Sequence, residues 1–479
     1  EPGGGGGPPP PPSSSSLLPI LSATGGVRLS QAWGLPLFVS FCLPSLLLAC
    51  SCCGATHSGF NPRCSGPSPC SPPNAPCVRE CLASTHTCTS MADPQAPCEK
   101  GGCEPVGKVD SASSTRRKAF FSGPRSYLEK HVNSLNKKGS DYDGFDEEFN
   151  KIEVDTHEET FFGDFKSAIL LCNRGKNRYS NVLPLEGSRV KLQAQSGIEG
   201  ADYINANYIH AGVPSLDRYY IATQGPLEET SSDFWRMVFE QKSKVIVMLT
   251  RLVENERTKC HRYWNKVEME PQLYGELCVV LRSRKETEPE IAVRHFTIYH
   301  MQTKEEWNVV HFQYKEWPDH GLPSNTSHFR KLLHLVDQSN SPTTGPIIVH
   351  CSAGIGRTGT FCTVHSTLLR LRRLFDAGAS LDERGIKDSV DIMGTVLRLR
   401  GERVGMVQTK EQYIFCYMAV LEDIGCLEAG GCNLLSTDDL ALLDPGDPVD
   451  FSELLTGPRH ARMLANSYNS ASIAGAGAG

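Results

Sequence analysis

Charge is almost missing from the first 60 residues of this 479-residue chain, where only Glu1 and Arg28 carry it. The homopolymer runs Gly3–Gly7, Pro8–Pro12 and Ser13–Ser16 open that segment, and none can build a packed core. Methionine is absent before Met91, and Met91-Ala-Asp-Pro-Gln makes an ordinary start. Residues 1–90 are therefore expected to be a low-complexity leader, either disordered or not natively translated. A long apolar run is also lacking. Trp33–Ala49 spans 17 residues, with Pro36 and Pro44 inside it. That falls short of the roughly 20 residues that cross a bilayer, so a membrane anchor is not expected. A basic surplus is missing too: 48 Lys and Arg stand against 54 Asp and Glu, a net charge of −6, which argues against nucleic-acid binding. The short basic clusters Arg116-Arg117-Lys118 and Arg370, Arg372, Arg373 read as a solvated linker and a solvated helix face.

Cysteine is plentiful but poorly ordered. Eleven of the 19 fall before residue 104, at irregular spacings crowded with Pro and Ser. No C-x-x-C pair recurs with a matching partner pair, so neither a zinc site nor a regular disulfide framework is expected. From about Phe120 to Leu427 the composition turns globular, enough for one large α/β domain. Within it, 161–171 reads as helix and 173–178 as a loop. Thr230-Ser-Ser-Asp233 reads as a capping start to a helix over 234–240. Lys244–Leu249 is a continuous apolar strand of the kind covered on both faces, and 277–281, 291–298 and 308–314 read as further strands. A helix is expected over 329–338. After Cys426 the chain turns to Gly, Ser, Ala and Asp, and 427–479 is expected to be a disordered tail. Residues 91–121 complete the plan as a linker.

The most informative stretch is Val349-His-Cys351-Ser-Ala-Gly-Ile-Gly-Arg357-Thr-Gly359. An apolar strand-like run precedes it and a helix-compatible run follows. A strand–loop–helix of this kind turns the N–H groups of Ser352, Ala353, Gly354, Ile355 and Gly356, with the positive helix end, into one concavity that suits a tetrahedral dianion. A cysteine in that field loses its proton easily and becomes a nucleophile. The letters also satisfy G-x-G-x-x-G, a dinucleotide-binding turn. That fingerprint needs a second strand ending in an acidic residue about 20 positions on, and here the residues before Asp376 read as helix. A buried structural thiol fits poorly among glycines and polar donors.

Hydrolysis of a phosphate monoester through a thiolate needs a nucleophile, clamps for the phosphoryl oxygens, an acid for the leaving oxygen and a placed water. Cys351 supplies the first. Arg357 offers a planar fork matched to two oxygens. The Thr358 hydroxyl is placed to stabilise the thiolate as it leaves, and His350 suits loop organisation better than base chemistry. The acid belongs on a separate mobile loop, since the product must leave. Trp317-Pro-Asp319-His-Gly-Leu-Pro323 fits, although alone it would be an ordinary turn.

Several motifs occur together: Lys176-Asn-Arg-Tyr179, Asp202-Tyr-Ile-Asn-Ala-Asn-Tyr-Ile209, Thr223-Gln-Gly-Pro226, Trp317-Pro-Asp319, His350–Gly359, and Gln408-Thr409 with Gln412-Tyr413. In this order they resemble the non-receptor, tyrosine-specific protein tyrosine phosphatases over roughly 122–426. Val247–Asn255 and Arg403–Thr409 resemble the soluble plant-type members in particular. The resemblance implies one catalytic domain with a central, highly twisted mixed sheet flanked by helices. It implies that Asp319 is general acid and then base, and that Arg357 is the phosphate clamp. Tyr179 becomes the wall of a slot deep enough to exclude phosphoserine. Gln408 positions the hydrolytic water with Gln412 beside it. Glu254, Lys259 and Trp317 become supports of the arginine and the acid loop, although the Glu254–Lys259 segment also reads as a plain solvated hairpin. Asn181 stands where many members carry an aspartate that binds the substrate backbone, so peptide affinity is expected to be weaker. Asn265 replaces a common proline, and 376–387 reads as a short polar insertion. No metal or cofactor is implied. The expected partners are phosphotyrosine proteins, with mitogen-activated protein kinases implied by the resemblance alone. A reactive reduced thiol suits the cytoplasm, with the nucleus also open to it, and a monomer is expected.

Overall fold

The apolar run at 244–249 predicts a strand sheltered on both faces, and it forms the middle of the sheet. The architecture comes from a computed structural model that describes residues 111–137, 143–210, 212, 219–287, 290–318, 321–341, 344–430 and 434–456. Asp319, the cysteine-rich segment before residue 104, the apolar stretch 33–49 and the last residues of the tail lie outside the described residues.

In chain order the elements are α1 (Ser111–Leu135), α2 (Gly144–Asp155), α3 (His157–Phe162), α4 (Leu171–Arg174), β1 (Arg189–Lys191), β2 (Tyr203–Ile209), β3 (Tyr220–Thr223), α5 (Ser231–Glu240) and β4 (Val245–Met248). There follow the hairpin β5 (Val253–Glu254) and β6 (Arg257–Thr258), then β7 (Pro271–Tyr274), β8 (Leu277–Thr287), β9 (Ile291–His300), β10 (Glu306–Tyr314), α6 (Ser327–Ser339) and β11 (Ile347–His350). The chain continues through α7 (Gly356–Asp376), α8 (Glu383–Ser389), α9 (Ile392–Glu402), α10 (Lys410–Glu428), α11 (Thr437–Ala441) and α12 (Phe451–Thr456).

Among the described residues nine strands form one mixed sheet in the order β1-β2-β3-β11-β4-β10-β9-β8-β7. β3, β11, β4 and β10 are parallel, and the strands outside them pair antiparallel. Parallel strands must be covered on both faces. Accordingly Val245, Val247, Ile347 and Val349 join the core that packs under α1, α6, α7 and α10. Ile246, Met248 and Ile348 point the other way, toward Phe234, Trp235 and Met237 of α5. The register sets His350 beside Met248 on one side and Thr223 on the other. Strand ends from three parts of the chain thus meet where β11 stops.

Two expectations need correction. Residues 161–171 do not form one helix: α3 ends at Phe162, Gly163 is extended, and Asp164 Oδ1 accepts the Lys166 N–H in a tight turn. Phe162, Ile169, Leu170 and Leu171 are all exposed, so a continuous helix here would have had no apolar face to bury. Nor is the segment after 426 structureless throughout. α10 runs to Glu428, and residues 434–456 carry α11 and α12, with Phe451 and Leu454 packed on Cys278 and Val280. Few apolar residues sufficed because β8 already offered them a bare apolar face. At the other end, α1 begins inside the expected linker and buries Phe121 and Leu128.

Candidate active site

β11 ends at His350 and α7 begins at Gly356, so Cys351–Ile355 form a five-residue loop under a helix N-terminus. Ile355, at the cap position, makes no side-chain cap bond, which leaves the first N–H groups of α7 for a ligand. Gly354 sits at φ +75°, and a Cβ there would lie 2.1 Å from the Thr223 carbonyl oxygen. A Cβ on Gly359 would lie 2.2 Å from the Val407 nitrogen. Only glycine fits at either place. The Gly354 N–H points back at Cys351 Sγ, 3.3 Å away.

What holds the loop open is an arginine that sequence reasoning passed over. Arg403 is fully buried; Nε donates to the Gly354 carbonyl at 2.9 Å and Nη2 to the Ala353 carbonyl at 3.0 Å. Asn207 Oδ1 accepts from its Nη1 at 2.7 Å and Asn205 Oδ1 from its Nη2 at 2.9 Å. Burial brings its pKa down to about 10, so it stays charged at neutral pH. With these carbonyls drawn outward, the Gly354 N–H faces inward, toward Cys351 Sγ. The signal was available in the two asparagines two apart on an otherwise apolar strand, since a buried amide needs a partner.

Arg357 is fixed from two sides. Its Nη1 and Nη2 donate to Glu254 Oε1 and Oε2 at 2.7 and 2.8 Å. Nη2 also donates to the Pro318 carbonyl at 3.0 Å, which ties it to the Trp317–Pro318 loop. Glu254 sits on the β5–β6 hairpin, whose turn residues Asn255 and Glu256 take φ of 46° and 62°, as a tight primed turn requires. Its Oε1 also accepts from Thr250 Oγ1 and the Arg251 N–H. The hairpin is there, but Glu254 is buried and committed to Arg357. Of Lys259, the backbone takes part: its carbonyl accepts from Ser352 Oγ at 3.0 Å. Trp317 is buried against Phe329 and Phe415 and donates Nε1–H to the Gly321 carbonyl at 3.3 Å. It anchors the near end of the loop that carries Asp319.

The remaining motifs flank the cysteine loop. Tyr179 is 37% exposed, with its hydroxyl 2.9 Å from Ser352 Oγ at the mouth of the cysteine loop. Arg178 staples this segment down through bonds to the Gly225 and Pro226 carbonyls at 2.8 and 2.7 Å, and its N–H donates to Gln224 Oε1. Asn181, two residues after Tyr179, is exposed. Across the loop, Gln408 Oε1 and the Gln412 amide come within 3.2 and 3.0 Å of where a Cβ on Gly356 would lie. The Gln408 N–H donates to Gln412 Oε1. Thr358 is buried, and its Oγ1 has no hydrogen-bond partner among the described residues.

A family model described as protein-tyrosine phosphatase matches residues 173–422, more than half of the chain. The chain belongs to the protein-tyrosine phosphatase family. It is 40% identical over 260 residues to "Protein-tyrosine-phosphatase PTP1" of Arabidopsis thaliana, covering 54% of this chain and 73% of that protein. It is 36% identical over 363 residues to "Tyrosine-protein phosphatase 2" of Dictyostelium discoideum, covering 64% of this chain and 90% of the relative. Against "Receptor-type tyrosine-protein phosphatase S" of Gallus gallus it is 41% identical over 298 residues, 62% of this chain but 18% of that receptor.

For a phosphatase of this family, the state of the residue before Cys351 matters. His350 is fully buried, which lowers its pKa to about 4, so it is neutral at working pH. Its Nδ1 faces the Cys351 carbonyl at 3.2 Å, and because that oxygen can only accept, Nδ1 carries the proton. Nε2 then accepts from the Tyr263 hydroxyl at 2.8 Å, and that hydroxyl accepts from His311 Nε2–H, also at 2.8 Å. His350 thus ties the Cys351 carbonyl to the Tyr263 hydroxyl, an arrangement that fits loop organisation. Elsewhere in the phosphatase, burial pushes the Cys260, Cys362 and Cys416 thiols up, which disfavours their thiolates. Among the described residues no helix is long and apolar enough to cross a membrane.

Proposed function

We propose that this chain hydrolyses phosphotyrosine in proteins in two chemical steps centred on Cys351. In the first, the Cys351 thiolate attacks phosphorus, the bond to the tyrosine oxygen breaks, and Asp319 gives its proton to the leaving phenolate. In the second, Asp319 as carboxylate takes a proton from a water held by Gln408. The water oxygen bonds to phosphorus, the S–P bond breaks, and phosphate leaves while Thr358 steadies the returning thiolate. Arg357 and the N–H groups of Ser352 to Gly356 hold the phosphoryl oxygens as charge shifts between them. Tyr179 restricts entry to a phosphate carried on a long aromatic side chain. Asn181 at the rim accepts a substrate backbone N–H without charge.

The observation that carries this reading is the loop: a cysteine sulfur that accepts the Gly354 N–H, in the loop that leads to an arginine locked by a bidentate carboxylate. Residues 122–426 form the proposed catalytic domain. A thiolate nucleophile supports a reducing compartment, the cytoplasm with access to the nucleus. It also supports signalling control by peroxide, which oxidises such a thiolate first. Mitogen-activated protein kinases are the proposed substrates, on family resemblance. The test is a pull-down with Asp319→Ala. Turnover of an aryl phosphate should collapse while phosphotyrosine proteins stay bound and are competed off by vanadate. Loss of binding together with turnover would count against the acid role.

A further inference from the structure

The residue just before Gln408 is in a conformation it should avoid. Val407 has φ +59°, the left-handed region, which is unfavourable for a β-branched side chain. Such a residue persists only where its surroundings over-determine it. Two contacts do so here. Its N–H donates to the Ile355 carbonyl at 3.1 Å, at the base of the cysteine loop. Its own carbonyl accepts from Arg400 Nη2 at 2.9 Å, while Arg400 Nε donates to the Met406 carbonyl at 3.0 Å.

Arg400 comes from α9, is 2% exposed, and spends two further donors on α2 and the residue after it. Nη2 pairs with Glu153 Oε1 at 2.7 Å and Nη1 donates to Thr156 Oγ1 at 3.1 Å. The guanidinium thus grips two successive carbonyls of the Gln408 loop from one side while α2 fixes it from the other. Gly359 closes the space beneath, since its Cα lies too near the Val407 nitrogen to carry a side chain.

We infer that Arg400 is a positioning residue for the second chemical step: it holds Val407 in its strained conformation, and that conformation aims Gln408 at the cysteinyl phosphate. This rests on the proposed role of Gln408. The water acts only once the phosphoryl group is on Cys351. Loosening the loop therefore spares the first step, which uses Cys351, Arg357 and Asp319, and slows the second. The device is local. Relaxing the backbone at Val407 removes the need for the clamp, because glycine adopts the same φ without strain.

The test uses the full chain, an aryl phosphate and rapid mixing, so that the burst of phenol (first step) and the steady rate (second step) are read separately. Arg400→Met should slow the steady rate about tenfold, the factor that backbone strain of this order represents, with the burst rate kept within about twofold. In the Val407→Gly background the same substitution should cost less than about threefold. If Arg400→Met does not fold, Arg400→Lys serves, since it keeps the charge beside Glu153 but cannot span two carbonyls. Equal losses in both backgrounds, or a burst slowed as much as the steady rate, would overturn the inference. Gln408→Ala run alongside separates the two readings: if it does not slow the steady rate, the role of Gln408 fails. If it does while Arg400→Met leaves that rate unchanged, only the clamp fails.

Discussion

At the scale of single residues, the site is built by taking freedom away from a few side chains. Arg357 has no free choice of rotamer once Glu254 holds both of its terminal nitrogens. His350 is neutral because burial in the core forbids its charge. That neutrality has a measurable cost. The folded pKa of about 4 lies below the ordinary histidine value near 6.5, so the group costs nothing above that value. As pH falls below it, the unfolded chain takes up a proton that the folded chain cannot, and stability drops until about pH 4. Between pH 7 and 5 this one residue should remove about 2 kcal/mol. Urea unfolding at both pH values checks it: His350→Asn should lose that much less than wild type, and an unchanged pH dependence would contradict a neutral His350. The residues proposed for the chemistry were legible because a cysteine, an arginine and a tyrosine in these motifs are types that few other roles demand. Arg403 and Arg400 were not, because a buried arginine looks in sequence like any surface one, and only its partners reveal it.

At the scale of elements, the strand–loop–helix of β11 and α7 and the apolar strand β4 could be read from local pattern. Their hydrophobic runs and their glycines each say one thing. The helix expected over 161–171 failed for the opposite reason: apolar letters at helical spacing that no neighbour covers. The loop itself rests on Gly354, whose positive φ and close approach to Thr223 leave no room for a side chain. Gly354→Ala should therefore lower kcat/KM for an aryl phosphate by about a hundredfold or more, since it adds strain where the N–H groups must converge. Far-UV circular dichroism should stay unchanged. Activity within about threefold of wild type would mean that the loop is not held in this shape.

At the scale of the whole molecule, motifs separated by more than 200 residues converge because four parallel strands end on one side of the sheet. Ligands gather at such strand ends, beside helix N-termini. Lys176–Tyr179 and Thr223–Pro226 are stitched together by Arg178 and Gln224. Asn205 and Asn207 reach the cysteine loop through Arg403. The sequence foretold which motifs belong together but not these joints, which exist only once the strands are side by side. It also hid α11 and α12, whose few apolar residues gain meaning from the face of β8 they cover. The step on which all the others depend is the passage of phosphate through Cys351. The most direct measurement is an acid quench of the enzyme turning over a radiolabelled phosphotyrosine peptide, with Gln408→Ala to slow the second step, followed by mapping of the labelled residue. One phosphoryl group should appear on Cys351 and none in Cys351→Ser, which should also lack turnover. Label on another residue, or turnover retained in Cys351→Ser, would contradict it.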